Sequence, residues 1–152
     1  MRFRNAFLPL LLLMNSTPDH TRQTLHYHHW TGTFPCNKIY LLKPVSADNR
    51  LSILRSDKDW NNVWTVFRPG NPVPVINFEQ NVVIAVRNVR YFNQVSWKSA
   101  SRQNHVLSLQ TLQTRTARPI GHEASCLFVV VPSDRITAVR CGHDEVTLDA
   151  ES

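Results

Sequence analysis

Residues 75–91, VINFEQNVVIAVRNVRY, contain the stretch that decides the fold. At its centre, residues 82–86 (VVIAV) form an uninterrupted apolar run in which most side chains are β-branched. Such a run is too short for a typical helix, and β-branched residues are typical of strands. Because no polar residue alternates with the apolar ones, the run predicts a strand that is buried on both faces.

The composition indicates one globular domain. A chain of 152 residues corresponds to a single domain, and a hydrophobic share of 42% with a charged share of 18% is typical of a folded protein. Lys and Arg exceed Asp and Glu by 17 to 11, which gives a net charge of +6. The basic residues are scattered singly, and phosphate binding requires a clustered basic face, so we expect no nucleic-acid binding.

The N-terminus has the pattern of a secretory signal peptide. Arg2 and Arg4 precede the apolar run AFLPLLLLM at residues 6–14, which is too short to span a bilayer. We therefore predict a signal peptide over residues 1–18, a single β-rich domain over residues 19–152, and a periplasmic or secreted location. No stable membrane insertion is expected after the signal is removed. A buried N-terminal helix or strand is the alternative, which the flanking charges and a proline within the run disfavour.

One amphipathic helix is predicted immediately after Ser56. Ser56 and Asp59 have the spacing of a helix N-cap and its bonded amide, and the acidic first turn suits the helix dipole. Four apolar residues then follow at helical spacing, and Pro69-Gly70 ends the helix. Tryptophans on this stripe could line a ligand groove, but core packing is the favoured interpretation. The predicted core comprises Trp60, Val63, Trp64, Phe67, Phe78, Val83, Ile84 and Val86.

The remaining apolar runs predict further strands. The fold class is therefore mainly β (α+β), with antiparallel sheets in a sandwich-like arrangement and one packed helix. Residues 38–43 and 51–55 are expected to form a hairpin, and residues 126–131 and 136–141 a second one. The other predicted strands are residues 23–33, 94–99, 104–113 with a bulge near Gln110, and a short edge at 146–148.

Two of these segments carry a resemblance to a known family. The predicted helix, DKDWNNVWTVF at residues 57–67, is followed by a proline-rich connection and by PVPVINFEQNVVIAV at residues 72–86. This order resembles the domain of PrcB, a subunit of a secreted bacterial protease complex, in which a Trp-bearing helix leads to a V-D-F-(x)n-V-V-A-V strand. Asn77 stands where that family commonly has Asp, and residues 93–95 (NQV) stand where it has a glycine-rich turn.

The resemblance would cover about residues 51–147 and implies a role in holding other proteins. The resemblance implies no catalytic residue and no cofactor for this chain. We therefore expect a non-enzymatic module that binds protein partners, or stabilises a protease complex, outside the cytoplasm.

Three cysteines in a predicted exported protein raise the question of a disulfide. If Val131 opposes Ile136 in the second hairpin, Cys126 lies opposite Cys141 at a distance that suits a bridge. Pairing of Cys36 with either of the other two is an alternative, as are reduced, buried thiols. The odd cysteine would stay free or pair between chains.

Two alternative functions rest on single clusters. His26 and His28 would project from the same face of a strand and offer two metal ligands, although no third ligand stands at a usual spacing. Cys141 and His143, two positions apart, suggest a small thiol-dependent hydrolase with a Cys nucleophile and a His base. No oxyanion hole can be named for such an enzyme.

Overall fold

The chain folds into a two-sheet β-sandwich with helices on one outer face. The computed structural model describes residues 27–148, and within them no helix is long and apolar enough to cross a membrane. The helices are a 3₁₀ helix over Cys36–Leu42 and α1 over Asp57–Phe67. The strands are β1 (His29–Pro35), β2 (Leu51–Leu54), β3 (Asn81–Arg87), β4 (Val95–Gln103), β5 (Val106–Gln113), β6 (Glu123–Pro132), β7 (Ala138–Cys141) and β8 (Asp144–Thr147).

The inner sheet contains β1, β6, β3 and β2 in that order, and all its pairs are antiparallel. Residues 82–86 of β3 are all buried, which confirms the prediction from their apolar run. β3 pairs with β2 on one side and with β6 on the other. A strand that is apolar on both faces needs this central position, because each face must be covered by another layer.

The outer sheet contains β4, β5, β7 and β8 in that order. The predicted mainly β, sandwich-like class is confirmed; most strand pairs are antiparallel as expected, and one pair, β5 with β7, is parallel. The predicted irregularity near Gln110 is present as a register shift between β4 and β5. The extra residue is Lys98 of β4, which has no partner between the pairs Trp97–Thr111 and Ser99–Gln110.

The inner sheet separates two hydrophobic cores. One core lies between the two sheets, and the other lies between the inner sheet and α1. Ser56 caps α1 as predicted, since its side chain accepts a hydrogen bond from the amide of Asp59 at 3.2 Å. The predicted core residues that are fully packed are Trp60, Val63, Trp64, Phe67, Val83, Ile84 and Val86.

Phe78 is the exception among the predicted core residues, because it is only partly buried. The amides of Gln80 and Asn81 both donate to the carbonyl of Asn77, so the chain turns at this point. Ile76, 8% exposed, is the residue of this connection that enters the core, while Val75 is fully exposed. The turn places Phe78 at the margin of the cluster around α1.

The first predicted hairpin does not form. Residues 36–42 form a 3₁₀ helix bounded by Pro35 and by Lys43, whose φ of 51° is left-handed. Ile39 and Leu42, three residues apart, both belong to the core beside α1, which suits the threefold period of this helix type. The first predicted strand, residues 23–33, overlaps β1, which runs from His29 to Pro35; residues 23–26 lie outside the described part of the chain.

The second predicted hairpin is also wrong, and the predicted Cys126–Cys141 disulfide falls with it. β6 pairs with β1 and β3 in the inner sheet, whereas β7 pairs with β5 and β8 in the outer sheet. Cys126 lies in the core beside α1, and Cys141 lies in the core between the sheets. Cys36, Cys126 and Cys141 are all free. β6 is buried on both faces over most of its length, so it takes a central position with two long partners.

Candidate functional site: a basic cleft beside β5

Strand β5 is longer than β7, its neighbour on one side. The parallel pairing between β5 and β7 ends at Ser108 and Arg140, because β7 turns back into β8 after Cys141. Residues 109–113 of β5 therefore have β4 on one side and no strand of the described chain on the other. An unpaired strand edge presents backbone N–H and C=O groups that can accept another strand.

A cleft of about 740 Å³ lies along this free edge. Leu109, Gln110 and Thr111 line it from β5, and Cys141 and Gly142 line it from the end of β7. A smaller cavity of about 120 Å³ shares the lining residues Arg50, Asn93 and Gln113 with the cleft. The two cavities therefore adjoin at the end of the sandwich. A volume of this size is typical of ligand-binding clefts.

The cleft is basic. Arg50, Lys98 and Arg115 line it, no Asp or Glu is among its lining residues, and Arg90 lines the adjoining cavity. Lys98, Arg115 and Arg90 are exposed, and none of them has an ion-pair partner between Tyr27 and Leu148. The positive charge of these three side chains is therefore available to a ligand.

Arg50 is held in place by the β7–β8 hairpin. Its Nε donates to Asp144 Oδ2 at 2.6 Å, and its Nη2 donates to the carbonyl oxygen of Cys141 at 2.9 Å. Gly142 has a φ of 62°, and a Cβ at this position would lie 2.8 Å from Arg50 Nη2. Glycine therefore both makes the two-residue turn and leaves room for the guanidinium group. The carboxylate of Asp144 neutralises the charge of Arg50. Arg50 therefore forms part of the cleft wall but adds little net positive charge to it.

Cys141 and His143 do not have the geometry of a catalytic pair on one strand. His143 belongs to the turn between β7 and β8 and is exposed, whereas Cys141 ends β7 and is buried. Burial raises the pKa of the Cys141 thiol, against smaller opposing effects of Arg50 and a 3.9 Å contact with Thr111 Oγ1. A nucleophilic cysteine needs the opposite shift, towards the thiolate.

The histidines considered as metal ligands are not assembled into a site in the part of the chain that the structure describes. His26 lies outside the described residues, and His28 is exposed. His29 stacks on Trp97 with ring centres 5.4 Å apart. Across residues 27–148, no group of three His, Cys, Asp or Glu side chains is placed to hold a metal ion.

Apart from the cleft, the protein contains a buried hydrogen-bonded cluster centred on Arg87. Arg87 is 5% exposed, and its Nη2 donates to the carbonyl oxygens of Ser46, Ala47 and Asn49 at 3.2, 2.9 and 3.1 Å. Burial lowers the pKa of Arg87 from its usual value. Its bonds all go to one loop, so this arginine fixes the loop that leads into β2.

No protein-family model, curated protein or solved structure matches this chain. The resemblance to the PrcB domain therefore stays a prediction from the sequence. The function must be inferred from the cleft and its surroundings.

The cleft was not recognisable from the sequence, because its residues come from four separate segments of the chain. Arg50, Lys98 and Arg115 are isolated basic residues in sequence, and only the fold brings them to one cleft. One local signal was present: Gly142 precedes the short edge predicted at residues 146–148, and a glycine at the first central position suits a two-residue hairpin turn. That signal predicts β7 and β8, but not the free edge of β5 beside them.

Proposed function

We propose that this protein is a non-enzymatic module that binds another protein through the cleft beside β5, in the periplasm or outside the cell. One observation carries the proposal: an unpaired strand edge, residues 109–113, opens into a cleft large enough for a peptide segment. Proteins commonly recognise partner segments by extending a sheet at such an edge. The exported location rests on the signal-like sequence of residues 1–18, and a role in stabilising a protease complex rests on the PrcB resemblance.

The chemistry of the cleft supports binding over hydrolysis. Its only thiol is buried, and its pKa is raised by that burial. The other lining groups are amides, a threonine pair, basic side chains and Leu109. These groups donate hydrogen bonds and positive charge, and none of them is paired with a base that would activate it.

Site-specific photo-crosslinking tests this function. A photoreactive amino acid replaces Gln110, an exposed residue of the cleft, in the full-length protein expressed in its own cells. We expect covalent adducts with one or a few defined proteins of the extracytoplasmic fraction. The matched control places the same amino acid at Asn62, an exposed residue of α1 on the far side of the inner sheet.

The pattern of adducts decides the outcome. Adducts that form at position 110, and not at position 62, support the cleft as the contact site. Equal adducts at both positions, or none at position 110, would contradict the proposal.

A further inference from the structure

We infer that the ligand of the cleft is an extended, acidic segment of the partner protein, which adds to the outer sheet as a strand beside β5. This inference rests on the proposed function and deepens it by naming the chemistry of the ligand. It follows from two independent properties of the cleft, its backbone geometry and its charge.

The backbone geometry favours an extended segment. β7 pairs with β5 only as far as Ser108, and residues 109–113 continue without a paired strand on that side, although Cys141 Sγ lies 3.9 Å from Thr111 Oγ1. No backbone hydrogen bond outside the regular strand pairing engages residues 109–113 within the described chain. An added strand would lie about 4.8 Å from β5, in line with β7. It would satisfy the free N–H and C=O groups of this five-residue edge.

The charge of the cleft favours acidic side chains on that segment. Lys98 stands at the bulge of β4, on the paired side of β5, and Arg115 follows the end of β5; both side chains line the cleft, so positive charge borders it at these two points. Arg90 extends the positive surface into the adjoining cavity. Side chains of a strand alternate between faces, with about 6.5 Å between residues i and i+2. Acidic residues at alternate positions would therefore face the basic walls.

The same features distinguish this ligand from a nucleic acid. Binding of single strands uses aromatic side chains on which successive bases stack, and the 740 Å³ cleft has no aromatic lining residue. Tyr91 is the single aromatic residue that lines the adjoining cavity. The N–H and C=O groups of a free strand edge are spaced to pair with those of a peptide backbone, and a sugar–phosphate backbone does not have this pattern.

Selection from a displayed library of random nine-residue peptides tests the inference. The intact protein is the bait, and bound sequences are read after washing at low salt. We expect Asp and Glu to be enriched at alternate positions, with β-branched residues between them. Selected peptides are then made synthetically, and their affinities are measured by fluorescence anisotropy. A library that returns no enrichment, or enrichment of basic or neutral sequences, overturns the inference.

Charge-reversal variants test whether the cleft is the binding site. Lys98→Glu and Arg115→Glu should each weaken binding of a selected peptide at least about tenfold, and higher salt should weaken the wild-type complex. Lys58→Glu reverses an exposed charge on α1, away from the cleft, and should leave the affinity within about twofold. Equal losses in all three variants would indicate a nonspecific charge effect and would overturn the inference.

Methylation of the peptide backbone tests strand addition. In an added strand, alternate residues direct their N–H groups towards β5. N-methylation of one alternating set should therefore abolish binding, and methylation of the other set should be tolerated. If both sets are tolerated, or if a single-stranded oligonucleotide competes as well as the peptide, strand addition is wrong.

The inference and the proposed function can fail separately. Crosslinking at position 110 without acidic enrichment in the library means that the cleft contacts a folded partner surface. The proposed function then stands, and the inference falls.

Discussion

Truncation of Trp60 should remove a large part of the stability of the fold. Its side chain is 1% exposed, and its ring centre lies 5.5 Å from Trp30, 5.2 Å from Trp64 and 5.7 Å from Phe128. Deletion of a buried tryptophan side chain typically costs about 3–5 kcal/mol. The upper part of that range is expected because the inner sheet on one side of the ring cannot collapse into the cavity. The predicted loss for Trp60→Ala is therefore about 4–5 kcal/mol.

A second variant separates the packing from the hydrogen bond. Trp60 Nε1 donates to the carbonyl oxygen of Pro74 at 3.1 Å and so ties the connection after α1 to the helix. Trp60→Phe keeps a smaller aromatic ring and leaves that carbonyl without its donor; the lost bond should cost about 1–2 kcal/mol, to which the lost part of the indole adds a packing term. The difference between the two variants then measures the contribution of the ring that Phe retains.

Urea unfolding, followed by far-UV circular dichroism at neutral pH, measures these losses. Asn62→Ala on the exposed face of the same helix is the control and should stay within about 0.5 kcal/mol of wild type. A loss below about 1.5 kcal/mol for Trp60→Ala, or a loss equal to that of the control, would refute the assignment of the tryptophans to the core. The tryptophan stripe would then be a surface feature and a rival binding site.

Three further predictions concern buried and paired groups. Arg87→Lys should lower stability by about 2 kcal/mol, because one ammonium group cannot reproduce the bonds of Nη2 to three carbonyls; Arg90→Lys, at an exposed site, should have little effect in the same urea assay. Burial acts to raise the pKa of Asp59, but hydrogen bonds from Lys43 and Ser56 outweigh it and lower the pKa below its usual value. Asp59 therefore stabilises the fold above the unfolded-state pKa of about 3.9, and this contribution is lost as the pH falls through the lower folded-state pKa. Asp59→Asn should thus cost about 0.5–1 kcal/mol at neutral pH and almost nothing near pH 2, and an equal loss at both values would contradict the assignment. Burial raises the pKa of all three thiols, that of Cys126 to about 12, but only Cys36 is partly accessible, so iodoacetamide at about pH 8 should label Cys36 first and the other two only after unfolding; a 126–141 linked peptide in non-reduced mass spectra would contradict the two-sheet assignment.

The sequence was sufficient where the signal was local. The cap at Ser56, the apolar stripe of α1 and the stop at Pro69 lie within fifteen residues, and they predict the helix with its buried face. The run at residues 82–86 likewise predicts its own burial. In each case, the physical cause is contained in the segment itself.

The pairing of strands that are distant in sequence could not be predicted from local patterns. The apolar runs before and after residues 132–135 are compatible with a hairpin, and nothing within them says that β6 belongs to one sheet and β7 to the other. The choice depends on competition among all strands for the two sides of β6, which is a property of the whole chain. The cleft was missed for the same reason, since its free edge exists only because β7 is shorter than β5.

The position of β6 has a consequence for how the protein can fold during synthesis. Within residues 27–148, β1 pairs only with β6, and the pair His29–Val129 joins positions 100 residues apart. β1 therefore leaves the ribosome long before its partner exists, while β2 and β3 can already pair with each other. During synthesis, N-terminal units usually fold first. In this topology β1 cannot do so, because its partner β6 is made much later. The inner sheet can close only after β6 has emerged, so the β1–β6 pair forms late in synthesis even where β2 and β3 have already paired.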